Sequence, residues 1–140
     1  MASDRSRGNK AIKKIVVIDT SAIMMLFEFS VDLEDELRRI LGAYKIVVPK
    51  SVIDELKFLA ENSKGKKKQI AKPAVKLAEG FEKVSDNLNN ADDAVLFVAK
   101  KQKGIVFSND KELRNRAKKE KIKTICLRSK NHLMISESFV

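Results

Sequence analysis

Histidine and cysteine are nearly absent from this chain of 140 residues, which has one of each, His132 and Cys126. A single cysteine excludes an internal disulfide. A single histidine argues against a zinc site built from histidines and against a Ser-His-Asp triad. Tryptophan is absent and aromatic residues make up 6% of the chain, so single-strand binding by stacked aromatic side chains is not supported.

Long apolar runs are also missing. No stretch approaches the roughly 20 apolar residues that span a bilayer, and the polar N-terminus lacks the apolar core of a signal peptide. We therefore expect a cytoplasmic protein that does not cross a membrane.

Positive charge is in excess, with 29 Lys and Arg residues against 19 Asp and Glu residues and a formal net charge of +10. This excess predicts a polyanionic partner, nucleic acid first and an anionic membrane surface second. A lysine-rich solvated surface is the alternative. Length and an apolar content of 44% fit one domain. We predict a flexible basic arm over residues 1–12 and a single domain over residues 13–140.

Short apolar segments alternate with helical patterns along the chain. Strands are predicted at 15–18, 46–48, 105–107 and 124–127, and the first has four consecutive aliphatic residues, as in strands buried on both faces. Helices are predicted at 21–29, from the N-cap Asp32 to Gly42, from the N-cap Ser51 to 62, at 74–84, from Asn89 or Asn90 onward and at 110–119, with a charged loop at 64–68. This alternation predicts an α/β fold with a parallel sheet.

Two aspartates follow predicted strands. Asp19 comes directly after the first strand, and Asp110 follows the third after Ser108 and Asn109. Ligands bind outside the carboxyl ends of strands in open α/β sheets. If the two strands are neighbours, both carboxylates face one crevice.

Two helices supply further acids. Glu55 lies at the edge of the apolar face of its predicted helix, whereas Asp54 lies opposite that face and is expected to be solvated. Asp92 and Asp93 begin an almost wholly apolar helix. Both could simply complement the helix dipole, although negative charge placed deep in a protein is costly unless it is paired or bound to metal.

Carboxylates clustered in this way would repel one another and raise each other's pKa values. Divalent cations remove that cost, and ligation by carboxylates alone suits Mg²⁺ or Mn²⁺. Two such ions about 3.5–4 Å apart can stabilise the attacking and leaving oxygens in phosphodiester cleavage.

In four places the chain resembles the PIN-domain family of metal-dependent ribonucleases. Ile18–Ser21 is similar to the opening strand motif of the family, and the second motif is matched by Val48, Pro49, Ser51, Val52, Glu55 and Leu56. The third is matched by Ala91, Asp92, Asp93, Ala94 and Ala99, and the fourth by Ser108, Asn109, Asp110 and Leu113. The resemblance spans residues 14–127.

The resemblance implies a three-layer α/β/α sandwich around a parallel sheet, with an acidic cleft that binds Mg²⁺ or Mn²⁺. The implied catalytic and metal-binding residues are Asp19, Glu55, Asp93 and Asp110. Asp93 is preferred because Ala-Val-Leu follows it, and Asp92 ranks lower. Thr20, Ser21, Ser108 and Asn109 would support the acids. The substrate would be RNA, in RNA processing or in a toxin-type activity with an antitoxin or ribonucleoprotein partner.

Basic residues form two clusters that could flank the cleft. These are Lys64, Lys66, Lys67 and Lys68 in the charged loop, and Lys111, Arg114 and Lys118 on the helix after Asp110. Phosphate contacts and plain solubility are equally good interpretations of both. The apolar first helix makes a homodimer a candidate assembly.

Three functions therefore compete. The first is a metal-dependent endoribonuclease. The second is a catalytically silent RNA-binding or scaffold module of the same fold. The third is a phosphoacceptor receiver domain, which is disfavoured because its acidic pair should follow the first strand and its phosphoaspartate the third.

Overall fold

The computed structural model describes residues 12–136. The elements in this range are, in chain order, β1 (Lys14–Ile18), α1 (Thr20–Glu28), α2 (Leu33–Leu41), β2 (Tyr44–Pro49), α3 (Lys50–Asn62), α4 (Gly65–Glu79), β3 (Glu82–Val84), α5 (Ala91–Gln102), β4 (Ile105–Phe107), α6 (Lys111–Lys119), β5 (Thr124–Ser129) and β6 (His132–Ser136). The predicted basic arm, apart from Ile12, lies outside the described residues.

The strands of this range form one sheet in the order β3-β2-β1-β4-β5-β6. All neighbouring pairs are parallel except β5 and β6, which are antiparallel. Helix α5 packs on the three central strands β1, β2 and β4, and α3 packs on α4 and α5. The predicted α/β fold with a central parallel sheet is confirmed. No helix in residues 12–136 has the length and apolar character to cross a membrane.

The central strands are buried because helices cover them. Val16, Val17 and Ile18 of β1 are fully buried, and so are Val106 and Phe107 of β4. Gly104 precedes β4 where the backbone passes close to β1, and a Cβ atom there would lie 3.2 Å from the Ile15 carbonyl oxygen. Glycine at this position therefore lets the amino end of β4 pack closely against β1.

The caps of α2 are confirmed, whereas the predicted cap of α3 is wrong. The Asp32 carboxylate accepts a hydrogen bond from the Asp35 N–H, and Gly42 ends α2 with a φ of 76°. Ser51 lies within α3, which begins at Lys50. Its N–H donates instead to Asp86 at 3.1 Å. A carboxylate from a distant loop thus caps this helix.

The charged loop predicted at 64–68 is also wrong. Helix α4 begins at Gly65, contains Pro73 in its interior and ends at Glu79. Proline in a helix interior removes one backbone hydrogen bond, which is why a helix start was predicted there. The helix continues because Ala71, Ala74 and Ala78 bury a common face.

The end of the helix predicted at 74–84 is wrong, because residues 82–84 form β3, and β6 is an additional strand. Strand β6 is fastened to α2 through the buried Glu36, whose carboxylate accepts hydrogen bonds from the Leu133 N–H and the Arg39 guanidinium, both at 2.8 Å. Hydrogen bonds from Arg39 and from the Leu133 N–H lower the pKa of Glu36 to about 2. This carboxylate therefore stays charged at neutral pH.

Candidate active site

Neighbouring strands bring Asp19 and Ser108 together. Strands β1 and β4 pair in parallel with Ile18 opposite Phe107, and the Asp19 N–H donates to the Phe107 carbonyl at 3.0 Å. The residues that follow the two strands therefore meet at the same edge of the sheet. The two strands are thus neighbours, which is the condition under which Asp19 and Asp110 face one crevice.

Two serine hydroxyls hold the Asp19 carboxylate. Only 2% of the residue is exposed, and its Oδ2 accepts hydrogen bonds from Ser21 Oγ and Ser108 Oγ, both at 2.8 Å. The Asn109 N–H in turn donates to Ser21 Oγ at 3.0 Å. Burial raises the pKa of Asp19, while the two hydroxyl bonds oppose that rise. The result is a buried carboxylate fixed in one orientation.

Glu55 reaches the same place from α3. Thr20, the first residue of α1, donates from Oγ1 to Glu55 Oε1 at 2.6 Å. Asp54 is exposed and lies 3.4 Å from Lys50 Nζ, as expected for a solvated residue. The edge of the apolar face of α3 therefore positions Glu55 toward β1.

Asp92 and Asp93 have different surroundings. Asp92 lies on the cavity, and its pKa is raised to about 6 by partial burial and by repulsion from Asp19, Asp110 and Glu55. Asp93 is exposed, and its Oδ1 accepts a hydrogen bond from Arg116 Nη2 at 2.7 Å. The ranking of Asp93 above Asp92 therefore disagrees with the placement of the two side chains.

Both acids are followed by apolar residues at helical spacing, so only the burial of those residues separates the two sides of α5. Val95 and Leu96 follow Asp92 by three and four residues and are buried. Phe97 follows Asp93 by four residues and is exposed. Asp92 thus shares the inward side of α5, whereas Asp93 shares the outward side.

Asp110 has a structural role as well. It is the N-cap of α6, and its Oδ1 accepts from the N–H groups of Glu112 and Leu113 at 2.9 and 3.3 Å. Its own N–H donates to Ser108 Oγ at 3.0 Å. The cap leaves the carboxylate on the same cavity as the other acids.

These side chains line one cavity of about 640 Å³, called the acidic cavity below. Its lining residues are Asp19, Thr20, Ser21, Met24, Met25, Glu28, Glu55, Leu59, Lys66, Lys67, Ile70, Asp92, Asn109 and Asp110. Glu28 was missed from the sequence. It follows Ser21 by seven residues, a spacing that places both on one side of α1.

Of the predicted basic residues, Lys66 and Lys67 line the acidic cavity. Arg114 donates from Nη1 to the Ser108 carbonyl at 3.3 Å, just behind the acids. Lys64, Lys68, Lys111 and Lys118 are not among the described residues that line the cavity. The structure thus brings only part of each predicted cluster to the acids.

The donors suit a hard divalent cation. All are oxygen atoms. Burial and repulsion from neighbouring acids raise the pKa of Asp92, and a cation would relieve the repulsion. Within residues 12–136, no three Asp, Glu, His or Cys side chains are grouped as ligands of a single ion. Mg²⁺ does not require such a group, because it retains several waters and takes one or two carboxylates. The residues present therefore fit Mg²⁺ or Mn²⁺ chemically.

Comparison with known proteins agrees with this geometry. A family profile described as "PIN like domain" matches residues 16–130. The chain belongs to the PIN-like domain family. This membership confirms the resemblance and rules out the receiver domain.

Relatives in the family are named as ribonucleases. The chain is 34% identical over 122 residues to Ribonuclease VapC9 of Archaeoglobus fulgidus, covering 87% of each chain. It is 29% identical over 124 residues to Ribonuclease VapC4 of Methanocaldococcus jannaschii, covering 86% of this chain and 95% of that one. The structure of the PIN domain endonuclease Utp24 has the same fold, with a TM-score of 0.73 at 24% identity over 89% of this chain and 92% of the other.

Proposed function

We propose that this PIN-like protein is a divalent-metal-dependent endoribonuclease that hydrolyses phosphodiester bonds in RNA. The observation that carries the proposal is the meeting of Asp19, Glu55, Asp92 and Asp110 on one cavity, each from a different part of the fold. The names of the two VapC relatives support RNA as the substrate.

Asp19, Glu55, Asp92 and Asp110 are the residues that would hold Mg²⁺ or Mn²⁺. When bound, such ions supply positive charge to the attacking water and to the leaving oxygen of the phosphodiester. Asp93 is assigned to the Arg116 ion pair, not to the metal site.

The neighbouring side chains hold these acids in place. Ser21 and Ser108 orient the Asp19 carboxylate, and Thr20 orients Glu55. Asn109 contributes through its N–H to Ser21 and through its side-chain oxygen, which accepts from the Leu127 N–H at 3.2 Å. Such support keeps carboxylates in a productive geometry without rearrangement.

Lys66 and Lys67 are positioned to contact phosphates of the RNA strand beside the acids. The net charge of +10 provides a longer-range attraction for RNA. Roles for Lys64, Lys68, Lys111, Arg114 and Lys118 in RNA binding stay predictions.

A catalytically silent RNA-binding module is the second candidate. The surroundings of Asp92 favour an active site, because burial and repulsion from Asp19, Asp110 and Glu55 raise its pKa to about 6, a cost that RNA binding alone does not require. A toxin-type or RNA-processing role, an antitoxin or ribonucleoprotein partner, a homodimer and a cytoplasmic location stay predictions of the sequence.

The test is cleavage of single-stranded RNA with Mn²⁺ by the wild type and by Asp19→Asn. Cleavage is expected in the wild type, and it should disappear with EDTA and in the variant. Asp35→Asn, an exposed acid on α2, is the matched control and should cleave normally. Equal cleavage by Asp19→Asn would contradict the proposed site. Absence of metal binding by the wild type in calorimetry would exclude the metal-dependent reaction.

A further inference from the structure

A second depression adjoins the acidic cavity on the other side of Glu55. It has a volume of about 440 Å³ and is lined by Ser51, Asp54, Glu55, Leu88, Asn89, Asn90 and Ala91. We call it the loop pocket, because much of its wall is the loop between β3 and α5. Glu55 lines both spaces, so a strand that lies across the acids can reach the loop pocket with its next nucleotide.

The loop that forms this wall is held firmly. Asp86 accepts hydrogen bonds from the Ser51 N–H, the Ser51 hydroxyl and the Leu88 N–H. These bonds outweigh the effect of partial burial and lower the pKa of Asp86. The Leu88 carbonyl lies 3.1 Å from Ser51 Oγ. The pocket is therefore tied to the same helix that carries Glu55.

Two of the groups that face the pocket are open to a ligand. Leu88 is 38% exposed although it is a large apolar residue. The Asn89 amide has no hydrogen-bond partner within residues 12–136. Asn90 is different, because its side chain caps α5 by accepting from the Asp93 N–H. Leu88 and Asn89 thus offer an apolar contact and an uncommitted amide.

The charge of the lining selects the kind of ligand. No lysine or arginine is among the described residues that line the loop pocket, whereas Asp54 and Glu55 are negative. Lys50 Nζ lies 3.4 Å from Asp54 Oδ2, but both side chains are largely exposed, so this ion pair is weak and a ligand can displace it. The lining therefore favours an uncharged ligand with hydrogen-bond donors over a phosphate. A nucleobase is uncharged, has a flat face for Leu88 and carries edge groups that amides and carboxylates recognise in single-stranded RNA. Guanine fits best, because its N1–H and amino group are adjacent donors for the two oxygens of a carboxylate such as Asp54.

We propose that the loop pocket binds the base next to the scissile phosphate, that it prefers guanine, and that Leu88, Asn89 and Asp54 determine this preference. The proposal rests on the endoribonuclease function. Glu55 keeps its place at the reacting phosphate, and the loop pocket sets which bond is cut.

The test uses a set of short RNA oligonucleotides that differ at one position on either side of a single cleavage point. Rates with Mn²⁺ are measured for the wild type, Asn89→Ala, Leu88→Ala and Asp54→Asn. Asn87→Ala is the matched control, because Asn87 is an exposed asparagine in the same loop that does not line the pocket. Thermal unfolding confirms that each variant is folded.

The wild type should favour guanine at one flanking position, and Asn89→Ala and Asp54→Asn should reduce that preference about five- to tenfold, the size of effect expected for loss of base-edge hydrogen bonds. Asn87→Ala should retain it. A pyrimidine preference, or the same preference in all variants, would overturn the proposal. If RNA is not cleaved at all, equilibrium binding of the same oligonucleotides with Ca²⁺ distinguishes the two failures: a guanine preference lost in Asn89→Ala supports the loop pocket, and no base preference overturns it.

Discussion

The cavities at the two ends of the sheet differ in the charge of the residues that line them. At the carboxyl ends of the strands, the acidic cavity of about 640 Å³ combines carboxylates with Lys66 and Lys67. At the amino ends of β1 and β4 lies another cavity of about 900 Å³. We call it the lysine end, because its lining includes Lys13, Lys14, Lys100, Lys103, Lys121 and Lys123.

The lysine end has a structural explanation. Helix α5 ends at Gln102 and α6 ends at Lys119, so the negative ends of two helix dipoles point to this side. Lys103 and Lys121 follow these helices with φ values of 55° and 62°, a backbone conformation common after helix ends. Lys100 is paired with Glu120 at 3.1 Å. Cavity size and positive charge therefore do not identify the candidate active site, whereas the cluster of Asp19, Glu55, Asp92 and Asp110 at the carboxyl ends does.

The largest expected effect on the RNA cleavage rate comes from Asp19→Asn, which replaces one carboxylate oxygen by an amide nitrogen. Asp19→Asn should lower the RNA cleavage rate about a hundredfold or more, because metal ions contribute several kcal/mol to such reactions. The double variant Lys13→Ala/Lys14→Ala at the lysine end should change the rate of a short RNA substrate by less than about twofold. Single-turnover kinetics measure both. A larger loss of rate in the lysine variant than in Asp19→Asn would show that the lysine end contributes more to cleavage than the acidic cavity.

The neighbours Asp92 and Asp93 provide the next test. Asp92→Asn should lower the cleavage rate about tenfold or more, since it removes a carboxylate from the acidic cavity. Asp93→Asn should keep a near-normal rate and lose about 0.2–1 kcal/mol of unfolding free energy, the usual worth of an exposed ion pair. Rates and urea unfolding are compared for both. The reverse order of rates would restore Asp93 as the ligand.

A smaller effect is expected from the lysines beside the acids. Lys66→Ala/Lys67→Ala should weaken RNA binding. It should also reduce the slope of log affinity against log salt by about two, because the removal of each lysine leaves one phosphate fewer neutralised. Lys13→Ala/Lys14→Ala should leave the slope for short RNA unchanged. Equal reductions would mean that RNA also reaches the lysine end.

The smallest expected effect is a change in the pH dependence of the melting temperature, measured on the metal-free protein. The pKa of Asp92 is about 6 instead of 3.8, so between these values the folded protein binds more protons than the unfolded chain. Its contribution to unfolding free energy therefore decreases as pH rises through this window. The melting temperature should rise on acidification from pH 7 to 5, and less so in Asp92→Asn.

The pKa shift of Glu36 is opposite in sign to that of Asp92, so Glu36 limits how far the melting temperature rises on acidification. Its pKa of about 2 lies below the usual 4.5, so its stabilising contribution is complete above pH 4.5 and is lost as pH falls toward 2. Melting temperatures that fall steadily from pH 7 to 5 in the wild type would contradict the repulsion inferred at the acidic cavity.

Much of the site followed from local patterns, since Asp19 and Asp110 follow apolar strands and Glu55 lies at a helix edge. The preference for Asp93 over Asp92 does not match the placement of the two side chains, because an almost wholly apolar helix gives little contrast between its sides. The helix start predicted at Pro73 is wrong because α4 is stabilised by its buried alanines and its packing on α3. A proline in the local sequence does not reveal such tertiary packing. Strand β6 depends on Glu36 and Leu133, residues that are 97 positions apart.

The central claim is that the carboxyl end of the sheet is the metal site. A crystal grown with Mn²⁺ tests it most directly, by anomalous scattering of the ion. We expect a peak in the acidic cavity next to Asp19 and Asp92, and its loss in crystals of Asp19→Asn. A wild-type structure in which Mn²⁺ is absent from the acidic cavity, or lies beside Asp93 instead, would contradict the claim.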